Sequence, residues 1–260
     1  MRSMRCLHNI LFHQSCRLKT MRSIHFEVGE TAVTVISDEI YHKCAKDAIF
    51  EARDIILAKI ANDPFFKITY DPYPVSNTDD ELIRRMCVAS SRSGVGPMAG
   101  VAGAVASYAV ERMVEGGASY AIVENGGDIA MMIDRDVSVG LYSGDDRMKD
   151  IALDVKPRDH IFGICSSSGN IGPSVSFGIS GICTVISDDV ILADCCATSL
   201  GNLVKEGTSE MLSEALDSIS SIEGVDGCLA YVNGLFGTAG DVPDLIRRKV
   251  ASDDASRIVF

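Results

Sequence analysis

The chain has 260 residues, 47% of them hydrophobic, and a formal net charge of -12. That length suits one large domain or two small ones, and the composition belongs to a core-forming protein. The acidic balance excludes nonspecific nucleic-acid binding, and no apolar run reaches the roughly 18 to 20 residues that span a bilayer, so neither nucleic acid nor membrane is an expected partner.

There are nine cysteines, an odd number with no CxxC pair, which supports neither a zinc site nor a disulfide framework. Free thiols in a reducing, cytoplasmic compartment are expected. The vicinal pair Cys195–Cys196 reads as two small packing residues rather than a redox device.

Residues 1–20 are basic and without a clean period, and they lack the apolar core and cleavage site of a secretory signal. They are expected to be a disordered extension or an upstream mis-start. A single domain is expected over residues 21–245, with a frayed tail over 246–260. From Ile24, alternation on both sides of Gly29–Glu30 predicts a β-hairpin. Ser37 or Asp38 then caps a helix that ends near Asn62–Asp63–Pro64. Thr78 with Glu81 forms an expected capping box for the next helix. "SGVGPMAGVAGAVASYAVERMVEGG" (Ser93 to Gly117) is dense in Gly and Ala before a helical period sets in. Small residues there let the helix approach another backbone, or a ligand, closely.

A strand at Tyr120 to Glu124 leads into "NGGD" (Asn125 to Asp128), where Asn and Gly supply the backbone of a tight turn. Strands follow at Val137 to Tyr142 and Ile151 to Val155. Ser166, Ser167 and Ser168 with Gly169 end another strand. Hydroxyls and amides together can hold phosphate oxygens, or form a plain solvated loop. Ser209 to Ser221 predicts a helix, and Gly227 to Gly240 a hairpin turning at Asn233–Gly234. Runs of strands and of helices with hairpin connections give an α+β fold with antiparallel pairing.

"ADCCATSLGN" (Ala193 to Asn202) follows the apolar run "ICTVIS" and opens a helical segment. Asp194 and Thr198 are four apart, so their oxygens share one helix face. Two oxygen groups in small, apolar surroundings suit a hard cation such as Mg²⁺. The same spacing fits Asp194 as a helix cap and Thr198 bonding back to a carbonyl.

Taken in order, "GVGPMAGVAG", "AIVENGGDI", "SSSG", "SFG" and "LADxxATxxGN" resemble the ApbE superfamily of Mg²⁺-dependent FAD:protein FMN transferases, and most closely its compact branch, uncharacterised protein family 0280. The resemblance covers Ile24 to about Gly240. It implies an ApbE-like α+β fold with mixed or antiparallel sheets, packed helices and a flavin-nucleotide cleft between the two halves of the chain. It places Asp194, Thr198 and a backbone carbonyl near Ala99 as metal ligands for Mg²⁺. It places Asn125, Gly126, Gly127, Asp128, Ser167, Ser168 and Gly169 against the nucleotide, FAD or FMN, with a protein substrate as a further partner.

Two departures accompany the match. The transferases carry a Lys-Gly pair where Ala102–Gly103 stands here, and a His after Thr-Ser-Gly that has no counterpart in "NIGPSVSFG". His160 lies upstream of the serines and is a poor substitute. The resemblance with these losses implies one of two functions. One is Mg²⁺-dependent chemistry at a pyrophosphate, as transfer or as FAD hydrolysis. The other is a non-catalytic flavin- or nucleotide-binding accessory in redox metabolism or sulfur assimilation.

Overall fold

A computed structural model describes residues 21–29, 31–168 and 181–248, with the backbone of Ile258 and Val259. The expected extension 1–20 and the candidate residue Gly169 lie outside them. The first hairpin joins β1 (Met21–Val28) to β2 (Thr31–Asp38). A 3-10 turn then leads into α1 (His42–Asn62), which buries Ala45, Ala48, Ile49, Ala52 and Ile56. This helix stops before Asp63–Pro64, where a proline ring bars continuation.

After α2 (Phe65–Ile68), helix α3 (Glu81–Ser93) is capped two residues after the expected Thr78. Its cap is Asp80, whose carboxylate accepts from the Leu82 amide at 2.9 Å. Thr78 does not cap it. The Thr78 hydroxyl is 2.9 Å from Ser76 Oγ, while Asp80 directly precedes the first helical residue, where a short carboxylate reaches the orphan amides. A 3-10 turn over Pro97–Gly100 opens into α4 (Val101–Glu115).

The next strands are β3 (Ala121–Asn125), β4 (Asp128–Met132), β5 (Val137–Gly140), β6 (Ile151–Val155), β7 (Phe162–Ser167) and β8 (Ile182–Ser187). Helices α5 (Val190–Leu203) and α6 (Ser209–Ser220) follow. The hairpin of β9 (Val225–Val232) and β10 (Leu235–Gly240) comes next, then β11 (Asp244–Arg247) and β12 (Ile258–Val259). The turn between β9 and β10 holds Asn233 and Gly234 at φ of 49° and 90°, the positive values a two-residue hairpin loop requires.

Among the described residues, eight strands form one sheet in the order β1-β2-β3-β4-β7-β8-β9-β10, and four form a second in the order β11-β6-β5-β12. Every ladder is antiparallel. Two stretches of the expected frayed tail belong to the second sheet. Ile246 and Arg247 pair with Ala152 and Ile151, and Ile258 and Val259 pair with Val139 and Ser138. Backbone pairing to a strand far back in the chain leaves no local signal in the sequence.

The large sheet is covered on both faces. One face packs Val33, Val35, Val123 and Val185 against Ile49, Val105 and Ile191 of the helices. The other packs Ile122, Ile129, Ile164 and Ile186 against Val137, Val139 and Leu153 of the small sheet. Strands β3 and β8 are buried along their whole length as a result, which is why they read as unbroken apolar runs rather than alternations.

Candidate functional site

Side chains alternate across a strand, so Asn125, Asp128 and Ser167 project from the helix face of the large sheet, with Val123, Ala130 and Cys165. They lie at one end of it. Asn125 pairs with Asp128 across the β3–β4 turn, and Asp128 pairs with Cys165 on β7. Asn125, Asp128 and Ser167 are 6%, 8% and 4% exposed. Two hydrogen bonds hold the turn. Glu124 Oε1 accepts from the Gly127 amide at 3.0 Å, and Asp128 Oδ1 accepts from the Ser166 amide at 3.2 Å. Gly126 and Gly127 take φ of 67° and 112°, a conformation that β-carbon sterics make costly.

Helix α5 packs on β7 and β8 and against α4. Three glycines permit that approach. A β-carbon at Gly100 would fall 2.7 Å from Cys195 Sγ, at Gly103 2.8 Å from the Val190 carbonyl, and at Gly163 2.9 Å from Val190 Cγ1. The Gly/Ala-rich stretch therefore serves close helix packing. The helix begins at Val190, capped by Asp189, whose side chain accepts from the amides of Ile191 and Leu192. Ala193 is accordingly inside the helix and does not open it.

Asp194 is 6% exposed, and its carboxylate does cap a helix, but a different one. Oδ2 accepts from the Gly103 amide at 2.7 Å, and the Ala102 amide also bonds to the carboxylate. These are first-turn amides of α4, which have no partner within their own helix. Ala102 in turn accepts from Asn125 Nδ2 at 3.2 Å. The start of α4 is thus pinned between α5 and the β3–β4 turn.

Burial raises the pKa of the Asp194 carboxyl well above the usual carboxylate range, and the charge of Asp128 raises it further. The two amide bonds act in the opposite direction and are outweighed. Asp128 and Asp194 also raise the pKa of the Cys165 thiol, after burial. Two buried acidic groups from distant segments therefore interact electrostatically beside the N-terminus of α4.

The remaining candidates are less enclosed. Thr198 is half-buried one turn further along α5, and Ala99 is half-buried in the 3-10 turn that packs on α5. Ser167 Oγ is buried with no hydrogen-bond partner among the described residues. Ser168 Oγ donates to the Gly181 carbonyl at 2.8 Å. The serines do not all point one way. Ser166 and Ser167 are still on β7, and Ser166 Oγ is 2.8 Å from Thr184 Oγ1. Glu124, Cys165, Ala102 and Gly103 complete the neighbourhood; all but Cys165 fall within the sequence motifs, yet nothing in their own chemistry marks them as contacts.

Among the described residues no single helix is long and apolar enough to cross a membrane. The family model described as "AbpE bacteria" matches residues 15–220. A UPF0280 protein of Methanocella arvoryzae is 43% identical over 88% of this chain and 93% of its own length. One from Methanosarcina acetivorans is 43% identical over 87% of this chain and 89% of its own. In fold, the chain is similar to the ApbE protein of Thermotoga maritima, with TM-score 0.57 and 12% identity over 84% of this chain and 97% of that one. It is also similar to the flavin transferase ApbE of Vibrio cholerae, with TM-score 0.52 and 11% identity over the same shares. The α+β architecture of antiparallel sheets and packed helices expected from the motifs is therefore the ApbE fold, and the chain belongs to the UPF0280 family, an ApbE-like branch.

Proposed function

We propose that this protein binds a flavin nucleotide, FAD or FMN, together with Mg²⁺, at the end of the sheet where Asp128 and Asp194 meet. The observation that carries the proposal is the buried carboxylate pair. Burial and the neighbouring Asp128 charge raise the proton affinity of Asp194, a divalent cation would relieve both, and the donors at hand are oxygens, which Mg²⁺ prefers. Asp194, Thr198 and the Ala99 carbonyl would hold the ion. When bound, it would offset phosphate charge and polarise a phosphoryl oxygen. Gly126 and Gly127 would let the backbone approach the nucleotide. Asn125, Asp128, Ser167, Ser168 and Gly169 would supply polar contacts.

The reaction proposed is attack at the pyrophosphate of FAD. With water as acceptor the products are FMN and AMP; with a protein hydroxyl they are a flavinylated partner and AMP. A non-catalytic, ligand-holding role is the second proposal, and one observation favours it. Ala102 and Gly103 bring backbone amides and no ionisable side chain to Asp194. Incubating the full chain with FAD and Mg²⁺ tests both. AMP released only with Mg²⁺ supports the enzyme. Saturable, Mg²⁺-dependent FAD binding without AMP supports the holder, and no binding of either nucleotide ends both proposals.

A further inference from the structure

Helix α1 runs antiparallel to α4. Cys44 Sγ donates to the Arg112 carbonyl at 3.5 Å, and the Tyr41 ring lies beside Gly116 and Gly117, just past the end of α4. Counting forward from Cys44 to Arg53 and back from Arg112 to Gly103 covers the same length of helix, about 13 Å. Arg53 is therefore level with Gly103, the residue whose amide holds Asp194. Its guanidinium reaches the sheet. Nη1 donates to Thr31 Oγ1 at the start of β2, and Nη2 lies over Gly29, where a β-carbon would be only 2.7 Å away.

Thr31 projects from the same face as Val33, and Val33 pairs with Asn125. Strand geometry puts Thr31 and Asn125 about 8 Å apart, Cα to Cα. Arg53 thus delivers a planar cation to the end of the sheet that carries Asn125 and Asp128, on their face. Its hydrogen bond is to a neutral hydroxyl, and among the described residues no carboxylate forms an ion pair with it. A guanidinium is the side chain best shaped to meet phosphate oxygens.

We propose that Arg53 contacts the anionic group of the bound ligand, and that this group is a phosphate or pyrophosphate. This rests on the reading that the site takes a phosphorylated nucleotide, and goes beyond it by assigning the counter-charge. Asp194 would face the cation, and Arg53 would meet phosphate oxygens from the α1 side. Gly29 is the residue that leaves room for it.

The test is calorimetric titration of the full chain, in Mg²⁺, with inorganic pyrophosphate, FMN and riboflavin. The proteins are wild type, Arg53→Gln, Arg53→Lys and Thr31→Val. Arg53 is half-buried, and an unchanged melting temperature shows that each variant folds. Arg53→Gln should weaken pyrophosphate and FMN by about tenfold or more, the size of a lost charged hydrogen bond, and leave riboflavin unchanged. Arg53→Lys should lose less, and Thr31→Val less again. Equal pyrophosphate affinity in wild type and Arg53→Gln overturns the proposal. So does a wild type that binds no pyrophosphate, or a loss for riboflavin as large as that for FMN. If pyrophosphate binds through Arg53 while neither flavin binds, the flavin assignment fails and the Arg53 assignment stands.

Discussion

The Gly103 amide donates to Asp194 Oδ2 across 2.7 Å, joining the first turn of α4 to the middle of α5. An aspartate that caps a neighbouring helix has a structural role and a charge, and one substitution separates them. Asparagine keeps an oxygen for the Gly103 amide and removes the charge. Asp194→Asn is expected to fold, to lose Mg²⁺-dependent nucleotide binding, and to stabilise the metal-free protein, because burial penalises the charged carboxylate more than its amide bonds offset. Thr198→Val should weaken binding less, since it leaves the charge in place. Calorimetry with Mg²⁺ and FAD, beside thermal melts in chelator, measures both effects. Equal affinity in wild type and Asp194→Asn would remove Asp194 from the ligand set.

Gly103→Ala probes the same junction by crowding it. The added carbon would lie 2.8 Å from the Val190 carbonyl and 2.9 Å from Asp194 Cβ. One of those neighbours is backbone, so the helices must separate. A loss of about 1–3 kcal/mol is expected, the usual cost of overpacking, read from denaturant unfolding with unchanged slope. Ala102→Gly, which adds no bulk, serves as the control for helix propensity.

The described thiols should divide by burial. Cys87, Cys165, Cys183, Cys195, Cys196 and Cys228 are buried, and Cys44 is only partly so. Burial pushes Cys196 up to about 12, and Cys87 and Cys228 up to about 11. Thiols held in that range present almost no thiolate near pH 8. Iodoacetamide on the native protein should label Cys44 well before the buried six, and unfolding should expose them all. Fast native labelling of Cys195 or Cys196, seen by peptide mass spectrometry, would contradict this packing.

A surface cluster sets a pH response remote from the site. His160 Nδ1 is 2.7 Å from Asp159 and Nε2 is 2.9 Å from Asp188, and these bonds, Asp159 first, raise its pKa above 6.5. A raised histidine stabilises the fold fully below its unfolded pKa, and that contribution is lost as pH rises through the folded value. The imidazole is half-exposed, so solvent screens the gain and it is small. An NMR titration should give His160 a midpoint above 6.5, and Asp188→Asn should lower it. An unchanged midpoint would show that Asp188 contributes nothing.

Local chemistry made much of this molecule legible in advance. Gly29, Gly126–Gly127 and Asn233–Gly234 are turns because the backbone there needs positive φ. Helix α1 ends where Asp63–Pro64 requires it to end. What stayed hidden was non-local. No motif links Asp194 to the Gly103 amide, or pairs Ile258 with Val139. The serine run looked like one loop, yet Ser166 and Ser167 are on β7 and turn to opposite faces. Asp80 displaced Thr78 as a cap because two signals competed within one turn of chain. The Asp194–Thr198 spacing left capping and ligation open, and in the fold Asp194 caps α4, a neighbouring helix, rather than its own.

The turn at Asn125 to Asp128 springs from strands covered on both faces. In hydrogen-exchange terms, β3, β4, β7 and β8 belong to the unit that opens last, with the free energy of global unfolding. Their amides should exchange more slowly than those of the edge strands β1 and β10. A ligand arriving at this end of the sheet would meet a frame already set on the timescale of hours. Its binding heat capacity would then report the surface it covers and little ordering of the protein itself.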